Sequence, residues 1–242
     1  MTFGSLFAGI GGMDLGLERA GMECKWQVEI DPFCQKVLAK HWPTVPRYDD
    51  IMDLDGKELE RVDLIAGGFP CQPVSYAGKR LGQDDSRWLW PEFARLIRVL
   101  RPRFALMENV PGLLSVNDGD AMGEVLGDLA ALGYDAEWQV ISAAAVGAPH
   151  LRERVWIVAY PHSWRLQERK ELHGQASPHS TYRHSRGKYL DGYTRWLPRP
   201  ELGRGVHGVP GRVDRIKTLG NAIVPKAAEW IGRRIAEADA RL

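Results

Sequence analysis

Apolar residues recur along the chain in two alternating rhythms. "TFGSLF" (2–7) is a short apolar run that ends in a glycine cluster, and "MDLGLERAG" (13–21) follows with Met13, Leu15, Leu17 and Ala20 at helical spacing. "CKWQVEID" (24–31) predicts a second strand, and "PFCQKVLAKH" (32–41) a helix opened by proline. "VDLIAGG" (62–68), "RFALMENV" (103–110) and "RVWIVAY" (154–160) are compact apolar runs bounded by Gly, Pro or charge, and predict further strands. Helical patterns lie between them at about 88–100 and 120–132. This alternation predicts an α/β body with a largely parallel sheet. From Pro161 to about Pro200 the rhythm stops, and Arg, His, Ser and aromatic residues dominate. That stretch is either a disordered insert or a small binding module whose fold depends on its ligand. After "KTLGNAIVP" (217–225) the tail predicts a last helix begun by Pro225.

Length and composition narrow the classes. The 242 residues suffice for one sizeable domain, or for a large domain carrying a small one. No apolar run approaches the roughly 20 residues that cross a bilayer, so no membrane span is expected. The start "MTFGSLFAGIGGMD" lacks a basic lead and a cleavage site, so no signal peptide is expected. The three cysteines, Cys24, Cys34 and Cys71, have no C-x-x-C spacing, which suggests a reducing, cytoplasmic setting without a disulfide framework. The seven histidines are scattered and no cysteine pair accompanies them, so no metal site is expected. The net charge of +1 hides an asymmetry: residues 161–242 hold 16 Lys and Arg against 8 Asp and Glu, and residues 1–160 hold 16 against 23. The basic third is either a solvated arginine-rich surface or a face that meets a polyanion.

Two constellations carry chemistry. "FAGIGG" (7–12) sits between the first strand and the first helix, where glycines let a ligand approach the backbone. The dinucleotide fingerprint requires a third glycine at position 14, which is Asp14, and no Gly-Lys-Ser/Thr follows. Glu29, eighteen residues after Gly11, ends the second strand and can accept hydrogen bonds from ribose hydroxyls. A glycine loop and a strand-end acid without a phosphate cradle point to a nucleoside lacking phosphates, S-adenosylmethionine being the common one; a purely structural tight turn is the alternative. The second constellation begins at "LIAGGFPCQP", which puts Cys71 just past a strand's carboxyl end, with Pro70 and Pro73 fixing the backbone around it. Cys24 and Cys34 lie inside element patterns and read as small buried hydrophobes. "FALMENVPG" repeats the geometry with Glu108 and Asn109 at the strand end, and "GAPHLRERVWIVA" sets Arg152 and Arg154 on alternate positions, which an extended backbone would point to one side. A thiol, a carboxyl group and paired guanidiniums suit addition to an electron-poor ring.

With those residues in place, the chain resembles the DNA (cytosine-5) methyltransferases, and among them the compact phage and prophage branch known from restriction-modification systems. The family's ordered motifs stand here as "FAGIGG", "EID" (29–31), "DDI" (49–51), "GFPCQP" (68–73), "DSRWLWPE" (85–92), "ENVPG" (108–112), "GAPHLRERVWIVA" (147–159) and "LGNAIVP" (219–225). The resemblance covers nearly the whole chain except 161–200. It implies a Rossmann-like S-adenosylmethionine-dependent fold with a small, irregular target-recognition region. The implied layout is a catalytic and cofactor-binding domain at 1–160, a recognition region at 161–212, and a segment at 213–242 that returns to the catalytic domain. It implies that Cys71 attacks cytosine C6, that Glu108 bonds the ring N3 and exocyclic amine, that Arg154 holds O2 and that Arg152 supports the same pocket. It also implies a cofactor site of Phe7, Ala8, Gly9, Ile10, Gly11, Gly12, Glu29, Ile30, Asp50, Ile51, Pro70, Leu89, Asn221 and Ala222. The implied partner is double-stranded DNA, bound by a monomer without metal. Trp164, Arg165, Arg169, Lys170, Tyr182, Arg183, Arg186, Lys188, Tyr193 and Arg195 are expected to contribute phosphate and base-edge contacts. Two rivals remain at this stage: the same chemistry on RNA, and a catalytically inactive DNA-binding relative acting as a regulator. The chain departs from the family at His150, where glutamine is usual, and in the shortness of its recognition region.

Overall fold

The computed structural model describes residues 1–70, 88–164 and 221–241; Cys71, the rest of 71–87, and the recognition residues 165–220 lie outside them. Five parallel strands form one side of the sheet: β1 (Thr2–Leu6), β2 (Glu23–Val28), β3 (Arg47–Tyr48), β4 (Leu64–Gly68) and β5 (Phe104–Asn109). Two more, β6 (Tyr134–Ser142) and β7 (Glu153–Pro161), complete the other side, and β7 runs antiparallel to both β5 and β6. The spatial order is β3-β2-β1-β4-β5-β7-β6. The chain moves outward from β1 to β3 and then crosses back to β4, so the crevice at the carboxyl ends of β1 and β4 is the topological switch point. Open α/β sheets bind ligands at that crevice.

The predicted helices follow their signals. α1 (Gly12–Arg19) opens directly after the glycine loop, and in α2 (Pro32–His41) the Asp31 carboxylate caps the helix by accepting from the backbone N–H of Phe33 and Cys34. α3 (Trp90–Leu100) buries Trp90, Phe93, Ala94, Ile97 and Leu100 on one face, the spacing expected of a helix lying on a core. α4 (Asp120–Ala131) and α5 (Pro225–Asp239) complete the set among the described residues. Side chains of α3 and α4 join one apolar cluster and those of α1 and α5 the other, with the sheet between them. β5 is buried at all six positions, as a strand covered on both faces must be. β6 departs from expectation. Its apolar residues Tyr134, Ala136, Trp138 and Val140 alternate with polar ones, so no compact apolar run marks it.

α5 closes on α1 at glycines. A Cβ on Gly16 would fall within 3 Å of the Pro225 carbonyl, the Ala228 Cβ and the Glu229 nitrogen. This approach returns the chain's end to the glycine loop. Gly127 on α4 has open space where its Cβ would be. The two sites should therefore respond oppositely to alanine. Gly127→Ala should gain about 0.5–1 kcal/mol of stability from helix propensity. Gly16→Ala should lose about 1–3 kcal/mol, because backbone atoms cannot yield to the added methyl. Denaturant unfolding of both variants measures the two signs, and a stabilised Gly16→Ala would contradict the described α1–α5 contact.

Candidate active site

A cavity of about 350 Å³ opens at the switch point. Phe7, Ala8 and Gly9 reach it from the end of β1, Val28, Glu29, Ile30 and Asp31 from β2, and Asp49, Asp50 and Ile51 from the turn after β3. Gly68, Phe69 and Pro70 continue β4 into it; Leu89, Glu108, Val110, Arg154 and Asn221 to Ile223 complete the lining. Of the fourteen residues expected to hold a cofactor, Phe7, Ala8, Gly9, Glu29, Ile30, Asp50, Ile51, Pro70, Leu89, Asn221 and Ala222 line the cavity, and Ile10, Gly11 and Gly12 do not. Gly11 serves the loop instead: its φ of 81° lies in the left-handed region, and a Cβ there would run into the Trp42 ring. Gly12 is where Ile223 comes closest, its carbonyl oxygen lying within 3 Å of where a Cβ would be.

Glu29 does more than face a ligand. Its Oε2 accepts from Gly9 N at 2.6 Å and its Oε1 from Asp31 N at 2.7 Å, so one carboxylate fixes both the glycine loop and the entry to α2. Burial pushes its pKa up, against those two hydrogen bonds. Each carboxylate oxygen retains capacity for a further donor such as a ribose hydroxyl. Gln35, not anticipated from sequence, donates from one amide nitrogen to the Glu29 carbonyl at 2.7 Å and to Asp49 at 2.9 Å, holding two walls together. Cys34 is buried as expected of a small hydrophobe, yet it also lines the cavity.

Asp14 explains why the dinucleotide fingerprint is broken. It is fully buried in the first turn of α1, where it accepts from Ser5 Oγ at 3.0 Å and Gln27 Nε2 at 2.8 Å. Burial raises its pKa to about 6, so at neutral pH most of it is carboxylate. Its carboxylate faces Ser5 and Gln27 and not the cavity, so Asp14 ties α1 to β1 and β2 where the dinucleotide fingerprint would have a glycine.

On the other flank, Glu108 is the penultimate residue of β5, opposite Gly68 of β4 and Trp156 of β7. A Cβ on Gly68 would stand 2.8 Å from Glu108 Oε2, so glycine there makes room for the carboxyl group. Arg154 lies two residues before Trp156, on the same face of β7, and reaches diagonally to Glu108: Nε to Oε1 is 2.9 Å. Burial raises the Glu108 pKa to about 7, with the positive charges of Arg154 and Arg152 opposing the rise. Asn109 donates to the Phe69 carbonyl at 3.2 Å, tying the end of β5 to the backbone two residues before Cys71.

The two arginines do not share one geometry. Extended backbone begins only at Glu153, and Arg152 has a left-handed φ of 26°. Arg154 turns to Glu108, whereas Arg152 Nη2 donates to the Ala222 carbonyl at 2.7 Å. The expectation that both point to one side of a strand is therefore corrected: Arg152 lies outside the strand. His150 is exposed and does not line the cavity formed by the described residues. Trp164 is also corrected, since its ring packs edge-on to Phe104 at 4.7 Å and lies under Arg103, which makes it an anchor for the chain leaving β7.

A family model, C-5 cytosine-specific DNA methylase, matches residues 1–195. The type II methyltransferase M2.BsuMI of Bacillus subtilis is 41% identical over 160 residues, 64% of this chain and 41% of that protein. M.NgoMIV of Neisseria gonorrhoeae is 40% identical, over 66% of this chain and 52% of its own length. The match thus spans about half the length of these curated relatives, or less. Among solved structures, an E. coli prophage-encoded protein assigned as a DNA modification methyltransferase aligns with a TM-score of 0.59 and 29% identity, covering 68% of this chain and 48% of that one. Spodoptera frugiperda DNMT2 aligns with a TM-score of 0.56 at 24% identity over 66% of this chain and 50% of its own, a likeness of fold. The sheet at whose carboxyl edge the acid, the arginine and the glycine loop converge is Rossmann-like, and the chain belongs to the C-5 cytosine-specific DNA methylase family.

Proposed function

We propose that the protein transfers a methyl group from S-adenosylmethionine to C5 of a cytosine flipped out of double-stranded DNA, through a covalent adduct between Cys71 and C6. The observation that carries this reading is the pair of half-buried Arg154 and buried Glu108 at 2.9 Å on the wall of a nucleoside-sized cavity whose lining includes Pro70, the residue before Cys71. The cavity volume lies within the usual range for small-molecule sites. Its apolar walls (Phe7, Ile30, Ile51, Leu89) and the Glu29 carboxylate fit S-adenosylmethionine. That cofactor, when bound, supplies an electrophilic methyl group.

The remaining steps belong to the chain's own residues. The Cys71 thiolate adds to C6, and the ring's electron pair moves toward C5 and N3. Glu108, with a pKa of about 7, is protonated in a large fraction of molecules near neutral pH, so it can donate to N3 while its other oxygen accepts from the exocyclic amine. Arg154 holds that carboxyl in place and offers a donor to O2. After transfer, water accepts the C5 proton, the electron pair of that bond re-forms the C5–C6 double bond and expels the Cys71 thiolate, and N3 returns its proton to Glu108. The base leaves the duplex at a cost of a few kcal/mol. Residues 161–212 would offset this cost and read the DNA sequence; their supporting feature is the concentration of Arg, Lys and aromatic side chains.

Cys71→Ala should abolish methyl transfer while leaving DNA binding largely intact. A duplex carrying 5-fluorocytosine should trap the wild type covalently, because no C5 proton can leave. Methylation assays on duplex DNA and on tRNA, with the trapping gel alongside, decide the matter; alanine-variant turnover near the wild-type rate refutes the nucleophile. Glu29→Ala should weaken S-adenosylmethionine binding about 10- to 150-fold, the worth of charge-assisted hydrogen bonds of roughly 1.5–3 kcal/mol. Calorimetry showing unchanged affinity would remove Glu29 from the cofactor site.

A further inference from the structure

Arg152 stands between the two halves of the site, and its geometry is that of neither a strand residue nor a base contact. Its backbone is held in the left-handed region, φ 26°, a conformation that costs energy in a residue with a side chain. Two hydrogen bonds fix the backbone there: Ala143 N donates to the Leu151 carbonyl at 2.8 Å and to the Arg152 carbonyl at 3.3 Å. From that position Nη2 donates to the carbonyl of Ala222, seventy residues further along the chain, at 2.7 Å. Ala222 belongs to Asn221–Ile223, which forms one wall of the cofactor cavity. Ile223 approaches Gly12 through its carbonyl and Gly68 through Cδ1 and packs against the apolar cluster of α1 and α5. Those contacts hold Ile223, and the Arg152 hydrogen bond holds Ala222 beside it. At the same time the Arg152 charge bears on Glu108, opposing the rise in its pKa.

We propose that Arg152 is a positioning residue that fastens the Asn221–Ile223 wall of the cofactor cavity to the flank carrying Glu108, so that the cofactor and base sides of the site are assembled together. The inference rests on the methyltransferase reading above and replaces the role of a pocket-supporting catalytic residue for Arg152. A residue confined to the base pocket would affect catalysis and leave cofactor binding unchanged. A fastener would affect both, through different properties. The hydrogen bond to Ala222 acts on cofactor affinity, and the charge acts on the proton held by Glu108.

The test uses the full chain, with S-adenosylhomocysteine as a binding probe that does not depend on turnover and the pH profile of methyl transfer as a second readout. Arg152→Met, which keeps the apolar stem, should weaken calorimetric affinity about tenfold or more, since it removes a hydrogen bond from a charged donor. It should also move the limb of the methyl-transfer pH profile that reports Glu108 to higher pH, because one opposing positive charge is gone. Arg152→Lys keeps the charge and should hold that limb at its wild-type position, while recovering only part of the affinity, since an ammonium lacks the planar fork. Thermal unfolding close to wild type shows that the losses are local. If Arg152→Met does not fold, Arg152→Lys decides alone: reduced affinity with an unmoved limb supports the proposal, and unchanged affinity overturns it. Wild-type binding with equal binding by Arg152→Met overturns this inference and leaves the proposed function standing. Wild-type protein that binds no S-adenosylhomocysteine overturns the proposed function, and the inference with it.

Discussion

A buried carboxyl group held against an arginine is the constraint around which the site is built. Glu108 is 8% exposed, and burial alone drives its pKa upward. An isolated buried carboxylate would be strongly destabilising; an opposite charge at hydrogen-bond distance compensates in part. Arg154 gives that compensation at 2.9 Å, and it can do so because β7 runs antiparallel to β5 and brings its early residues to the edge where β5 ends. A parallel strand in that place would deliver its far end there instead. The reversal of β7 at the sheet's flank is thus the topological counterpart of one ion pair.

The same economy governs the cofactor side. Glu29 and Asp14 are both buried, both raised in pKa, and both satisfied by groups of the loop and strands they organise. Glu29 fixes the backbone of Gly9, and Asp14 ties α1 to β1 and β2 through Ser5 and Gln27. Both groups, like Glu108, have folded pKa values above their unfolded ones. The stability they contribute is complete below the ordinary carboxyl range and is lost as pH rises through the folded values, about 6 for Asp14 and about 7 for Glu108. A site that places carboxyl groups where charge is needed is therefore held less firmly at alkaline pH.

Much of this was legible in the sequence, and the limits have physical causes. β4 and β5 were readable because a strand covered on both faces is rich in apolar residues, and the ends of β2 and β5 because Glu29 and Glu108 interrupt those residues where the strands reach the sheet's edge. β6 escaped because its faces differ, leaving Trp138 and Val140 half-exposed and alternating with Glu137 and Gln139. Arg152 was misplaced because spacing tells nothing about φ; a left-handed residue before β7 breaks the alternation that Arg152 and Arg154 suggest. Trp164 was assigned to DNA for its aromatic type, whereas Phe104 and Tyr160, distant or unremarkable in the sequence, claim its ring. Gln35 carried no signal, since a glutamine on an exposed helix turn looks the same whether or not it bridges two walls.

The central claim is that Glu108 holds its proton near neutral pH inside the Arg154 pair. Following the carboxyl carbon of Glu108 by NMR across a pH titration, with Glu108→Gln to assign the resonance, tests it most directly. The account predicts a midpoint of about 7. A midpoint at or below the ordinary value of 4.5 would show a permanently ionised carboxylate that is unable to donate to a cytosine ring, and would contradict the account.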